Sequence, residues 1–223
     1  MTSTAPMEPL PLPAGALRVI RQRTTTAPHA AYVQATTVHC PYLAPSIRHG
    51  LTHWTVYGMR PLADPTDVEA DVFATALAAA ERVRIDAKGP RGHLVCENIV
   101  VVGAARAHLD WPHWALKHLL APVGLMVGKF WEGEQDTDRN GHDLPVPPIT
   151  FLSVRPAVRP RDPHFLDTTP TLADTIREAD DDGRDLLAGL SHHWTEIRAW
   201  ASNLPFPQQP ARPPKPPAAA PSS

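Results

Sequence analysis

Cys40, Pro41 and Tyr42 bring together a thiol, a rigid turn and an aromatic ring where a proline-rich leader gives way to apolar sequence. A cysteine thiolate can ligate haem iron or a soft metal, or act as a nucleophile. Pro41 removes a competing backbone donor and stiffens the turn that presents Sγ. A small buried position suits the same residue, because free cysteine is among the most buried residue types. Cys96, the other of the two cysteines, opens an apolar run and fits the buried description better.

His118 is a second candidate. Trp111, Trp114, Ala115 and His118 stand at helical spacing and share one face. An imidazole there can ligate a metal or haem, or act as an acid or base, and it can equally be a core histidine bonded to a carbonyl. His113 and Lys117 fall on the opposite side and read as solvated. Lys129 lies between Val127 and Trp131 on one strand face, where a charge requires a partner or a ligand. Arg155, Arg159 and Arg161 cluster with Asp162 on a proline-punctuated loop. Their planar forks suit the carboxylate of a ligand or a solvated surface. Gly124 and Gly128 allow close approach of a backbone or a flat molecule.

Two metal-like patterns are weaker. His49 and His53 are four apart, a zinc spacing only on a helix, and their segment reads as a turn entering a strand. Asp136, Thr137, Asp138, Arg139, Asn140 and Gly141 match the opening of a calcium loop, but Pro147 stands where a bidentate glutamate is needed. Asn140-Gly141 is equally a turn between strands.

The elements that must position these residues follow from pattern. Leu51–Met59 reads as a strand, and Asp64-Pro65 caps a helix with Val68, Val72, Ala76, Ala80 and Val83 on one face. Ile99–Val102 is a central strand. A helix starts near Asp110 and Pro112 and ends before Pro122. Strands follow over 125–131 and 149–154, then a helix from Thr171 to the Asp180–Gly183 run and a last helix over 184–201. That order predicts an α+β fold with a mixed sheet of about four strands packed by helices.

With 223 residues the chain has room for one domain and two tails. Residues 1–16 and 205–223, rich in proline, alanine and serine, are expected to be disordered, leaving a single domain over 17–204. A net charge of −2 gives no general pull toward nucleic acid or an anionic membrane, which points to a small-molecule substrate or a protein partner. The longest apolar run is shorter than the ~20 residues of a membrane helix, and no secretory signal is visible. A reduced cytoplasm suits the two cysteines, and a homo-oligomer is compatible with the composition.

From Cys40 onward, C-P-Y, W-A-L-K-H-L, G-L-M-V-G-K-F-W and F-L-S-V-R-P-A-V-R-P-R-D-P resemble an actinobacterial domain of unknown function found near natural-product genes. Cys40-Pro41-Tyr42 and the element order more distantly resemble the YqcI/YcgG family, which includes haem-dependent N-hydroxylases. Here His39 stands where that family has proline, and Tyr42 where it has phenylalanine. The resemblance implies a b-type haem with Cys40 as the axial ligand, and His118, from its helix face, is the competing candidate for iron. It further implies an aromatic pocket from Trp111, Trp114 and Trp131 and propionates anchored by arginines such as Arg159; in such a site Lys129 or Arg155 is expected to hold an anionic group. The function expected from it is a haem-dependent oxygenase acting on a small amine or amino-acid-derived substrate. The alternatives are a non-catalytic binding protein with a tryptophan-rich cleft and a metal-dependent hydrolase.

Overall fold

A computed structural model describes residues 14–138 and 141–206. The expected disordered ends fall mostly on 1–13 and 207–223, outside the described residues. Five strands, β1 (Leu17–Thr24), β2 (Thr52–Met59), β3 (Cys96–Val102), β4 (Leu125–Phe130) and β5 (Phe151–Pro156), form one mixed sheet in the order β1-β2-β3-β5-β4. Only β2 and β3 pair in parallel; the other neighbours run antiparallel. The architecture is α+β, as expected, with one strand more than the pattern predicted.

The additional strand is β1, an edge strand that is mostly exposed and carries Arg18, Arg21 and Arg23. Charges on an edge discourage pairing with other chains, and here they also hide the strand from an apolar reading. Just before it, Asp71 accepts from the backbone N–H groups of Ala14 and Leu17, the latter at 2.8 Å, and Ala16 is buried.

The parallel β2–β3 pair requires a crossover, and α3 (Pro65–Asp86) supplies it. Asp64 caps this helix by accepting from Thr66 N at 2.8 Å, and Pro65 occupies the first turn, where a missing N–H costs nothing. Its buried face, including Val68, Val72, Phe73, Ala76, Leu77 and Val83, packs on the sheet together with α4 (Ala107–Leu120). α4 starts earlier than expected, and Pro112 lies within it. α6 (Pro170–Glu178) and α7 (Trp194–Ser202) complete this layer. The last helix begins ten residues later than predicted, because 184–193 is a series of turns with Gly189 at φ +82°. Phe73 stacks near Trp194 at 5.1 Å, and buried Glu69 accepts from Trp194 Nε1 at 3.1 Å, which clamps α7 onto α3.

The opposite face carries a lighter cover, α1 (Ala30–Thr36) and α2 (Leu43–Arg48), with α5 (Asp162–Phe165) at its side. Strand pleating sorts side chains between the layers. On β3, Ile99 and Val101 join the large helical core, whereas Val100 joins a small cluster with Val33, Trp54, Val56 and Phe151.

Candidate functional site

Between α1, α2 and the sheet lies a cavity of ≈ 260 Å³. Its floor is the face of β2, β3 and β5 that alternation leaves away from α3. Thr52, Trp54, Cys96, Asn98, Phe151, Ser153 and Arg155 all line it. Tyr32, Val33 and Thr36 of α1, Cys40 to Leu43, and Ser46 of α2 form the roof. Ser46 Oγ donates to Leu94 O at 2.7 Å and meets Thr52 Oγ1 at 2.6 Å, which pins α2 to the sheet and closes one end. A sealed apolar void of that volume would cost about 6 kcal/mol, comparable with the stability of a whole small domain. This one is open to solvent and lined in part by polar atoms, so water or a ligand offsets that cost.

Cys40 sits in the hinge between the two roof helices. Its N–H closes the end of α1 on Thr36 O at 3.1 Å, and its carbonyl accepts from Leu43 N at 3.2 Å at the start of α2. The thiol is half-buried and free. Beneath it, the half-buried thiol of Cys96 lies 3.2 Å from Ser153 Oγ and 3.8 Å from Asn98 Oδ1. Burial pushes the Cys96 thiol pKa up; the Ser153 hydrogen bond and the Arg155 charge oppose that rise, and charge on Cys40 adds to it. Cys96 therefore stays a neutral S–H.

Arg155 reaches the cavity but is already matched. Its Nη1 and Nη2 donate to the two Asp162 carboxylate oxygens at 2.8 and 3.0 Å, and Nη1 also donates to Pro156 O at 3.0 Å. Asp162, 2 % exposed, accepts from Val158 N at 2.5 Å as well. The loop is thereby folded around one buried carboxylate.

The other expected site residues are elsewhere. Trp111, Trp114 and His118 lie on α4, behind the sheet. Phe206 stacks on Trp114 at 5.1 Å and 8°, His118 meets Trp114 edge-on at 4.6 Å, and Trp200 flanks His118 at 6.4 Å. Burial, with the Lys117 charge, holds the His118 pKa down at about 4, so it is neutral near pH 7. His118 Nε2 and Trp114 Nε1 are both buried with no hydrogen-bond partner among the described residues. His113 and Lys117 are half-buried rather than solvated, and His113 Nε2 lies 3.2 Å from Val127 O. Lys129 finds its partner in Asp110 of α4 and stands 5.9 Å from the Trp131 ring, which the Arg106 guanidinium covers at 4.6 Å. Arg159 donates to Ala179 O.

A haem held by the full expected set does not fit this arrangement, because the sheet separates Cys40 and Arg155 from His118, Trp111 and Trp114. The aromatic side chains that do share the cavity with Cys40 are Tyr32, Tyr42, Trp54, Phe130, Phe151 and Phe165. Gly128 makes room for one of them, since a Cβ there would approach the Phe130 ring to 3.1 Å.

No three or more His, Cys, Asp or Glu side chains among the described residues are grouped to hold a metal ion. His49 caps the end of α2, while His53 is on β2 with Nδ1 2.9 Å from Arg23 Nη2. Around the calcium-like segment, Thr137 bridges Asp143 and Asp138 N donates to His142 O at 2.8 Å, as in a hairpin turn; Arg139 and Asn140 lie outside the described residues. No helix among the described residues is long and apolar enough to cross a membrane.

Alternation could have found the site. On β5, Ser153 and Arg155 are polar at every second position of an otherwise apolar strand, which marks a polar stripe on one sheet face; on β3, Glu97 between Cys96 and Asn98 hides the same pattern.

No curated protein and no solved structure matches the chain. A family model described as "Domain of unknown function (DUF6875)" matches residues 25–180, which include every residue that lines the cavity. The chain belongs to that family, in keeping with the coarser part of the resemblance read from its motifs.

Proposed function

We propose that the chain is a small-molecule-binding α+β protein in which the cavity beneath Cys40 is the binding site and Cys40 its reactive group. The observation that carries this reading is the meeting of the Cys40 and Cys96 thiols with a polar stripe, on the walls of one otherwise apolar cavity. An apolar enclosure with a few convergent polar groups is the usual form of a ligand site. Its volume, just under the ~300–1,000 Å³ typical of pockets for drug-sized ligands, matches a compact amine or amino-acid-derived molecule. A cytoplasmic setting, where thiols stay reduced, suits it.

The test is protection of Cys40. In a Cys96→Ser background, a panel of small aromatic amines and acids is screened for slowing alkylation of Cys40 by iodoacetamide, read by intact mass. At least one chemical class protects, and protection is lost when Ser153→Phe fills the floor. Alkylation indifferent to every member would count against the reading.

A second reading, a haem-dependent oxygenase of specialised metabolism, draws support from one observation: the thiol expected to ligate iron lines the cavity among aromatic rings. It takes up the finer part of the resemblance, to actinobacterial proteins encoded near natural-product genes and to the YqcI/YcgG family. Cys40 would hold the iron of a b-type haem, which supplies oxygen activation when bound. An absorbance scan separates the two readings. A Soret band after haem supplementation that is lost in Cys40→Ala favours the oxygenase, and its absence leaves the binding protein.

A further inference from the structure

The three arginines that cluster in the sequence meet three different fates. Arg155 is neutralised by Asp162, and Arg159 is spent on the Ala179 carbonyl. Arg161 lines the cavity with its guanidinium 5.8 Å from the Tyr42 ring, and it makes no ion pair among the described residues. Among the arginines and aspartates of the cavity wall, Arg155 and Asp162 cancel, which leaves the charge of Arg161 in excess. Two histidines also border the cavity, the exposed His93 and His39, which lies 3.6 Å from the Asp138 carboxylate. A guanidinium whose N–H donors are not taken up by a carboxylate is ready for a bidentate acceptor. The same cavity is lined by the rings of Trp54, Phe130 and Phe151; Phe130 and Phe151 are stacked at 4.6 Å, and Trp54 lies 5.8 Å from Phe151.

We infer that the ligand is a monoanion with a flat apolar body, its carboxylate held by Arg161 and its rings laid against Trp54, Phe130 and Phe151. The inference rests on the reading of the cavity as a ligand site and adds the ligand's charge and shape. Arg161 is the specificity-determining residue in this account, and Arg155 is a positioning residue that shapes the loop through Asp162.

Isothermal titration of the full chain with indole-3-acetate and with indole-3-acetamide tests it, since the two differ in charge and hardly in shape. The acid binds at least tenfold tighter than the amide. Arg161→Met removes that preference, and Arg161→Lys keeps part of it. Raising the salt weakens the acid alone. Equal binding of acid and amide by the unsubstituted protein, or a preference that survives Arg161→Met, would overturn the assignment and leave the cavity reading standing. Failure of both compounds to bind at millimolar concentration would overturn the two together. The acid-to-amide comparison needs no variant, so a poorly folding substitution does not obscure the outcome.

Discussion

Arg155 and Asp162 form a two-pronged ion pair at 2.8 and 3.0 Å on the cavity wall, with the carboxylate almost fully buried and the arginine side chain partly open to the cavity. The pair explains why a conspicuous cation on a central strand is not the cavity's free charge. Asp162→Asn leaves Arg155 without its counter-charge and weakens the bond from Val158. A loss of about 1–3 kcal/mol is expected in urea unfolding. The double substitution Arg155→Met with Asp162→Leu recovers part of that loss, because an apolar pair removes both desolvation costs together.

The two thiols differ in reactivity. Cys96 is held as S–H by burial, so little thiolate is available to attack an electrophile. Iodoacetamide at pH 7.5 therefore modifies Cys40 at least ~10-fold faster than Cys96, read by peptide mass mapping. Equal rates would mean that burial does not hold Cys96 as the S–H form.

Acid sensitivity has a defined origin in α4. The unfolded chain protonates His118 near its ordinary value of 6.5, whereas the folded protein resists until about 4. Between those values the unfolded state binds more protons, so stability is intact above about pH 6.5 and falls as pH drops toward 4. Burial, together with the charges of Lys117 and Lys129, pushes His113 the same way. His118→Gln should flatten the decline in urea midpoint between pH 7 and pH 5 relative to the unsubstituted protein. An unchanged slope would show that His118 is not desolvated.

Phe206 stacks on Trp114 and meets Trp111 edge-on at 5.4 Å. Phe206→Ala is expected to cost about 0.5–1.5 kcal/mol and to shift tryptophan emission to the red as Trp114 meets water. Ligand binding in the cavity should be unaffected, since the sheet lies between the two sites.

Much of the fold is legible because its signals are local. Asp64-Pro65 and the spacing of Val68, Val72, Ala76, Ala80 and Val83 specify α3, and the β-branched run over 99–102 specifies β3. β1 escapes because an edge strand with three arginines buries almost nothing. α1 and α2, at seven and six residues, are too short to set up a helical period. The site divides along the same line. Cys40 stands out by its neighbours in sequence, whereas Trp111, Trp114 and His118 stand out by their shared helix face. A shared face says nothing of which side of a sheet the helix will cover. Cys96, Trp54 and Arg161 become site residues only once the strand order β2-β3-β5 brings their elements together.

The central claim is that the cavity beneath Cys40 is where this protein meets its ligand. A fragment library screened by methyl chemical-shift perturbation on the full chain tests it most directly. The account predicts that hits move the methyls of Val33, Leu43, Val95 and Val158 around the cavity. Hits that instead move Leu116 and Leu119 behind the sheet, or a library that moves none of these, would contradict it.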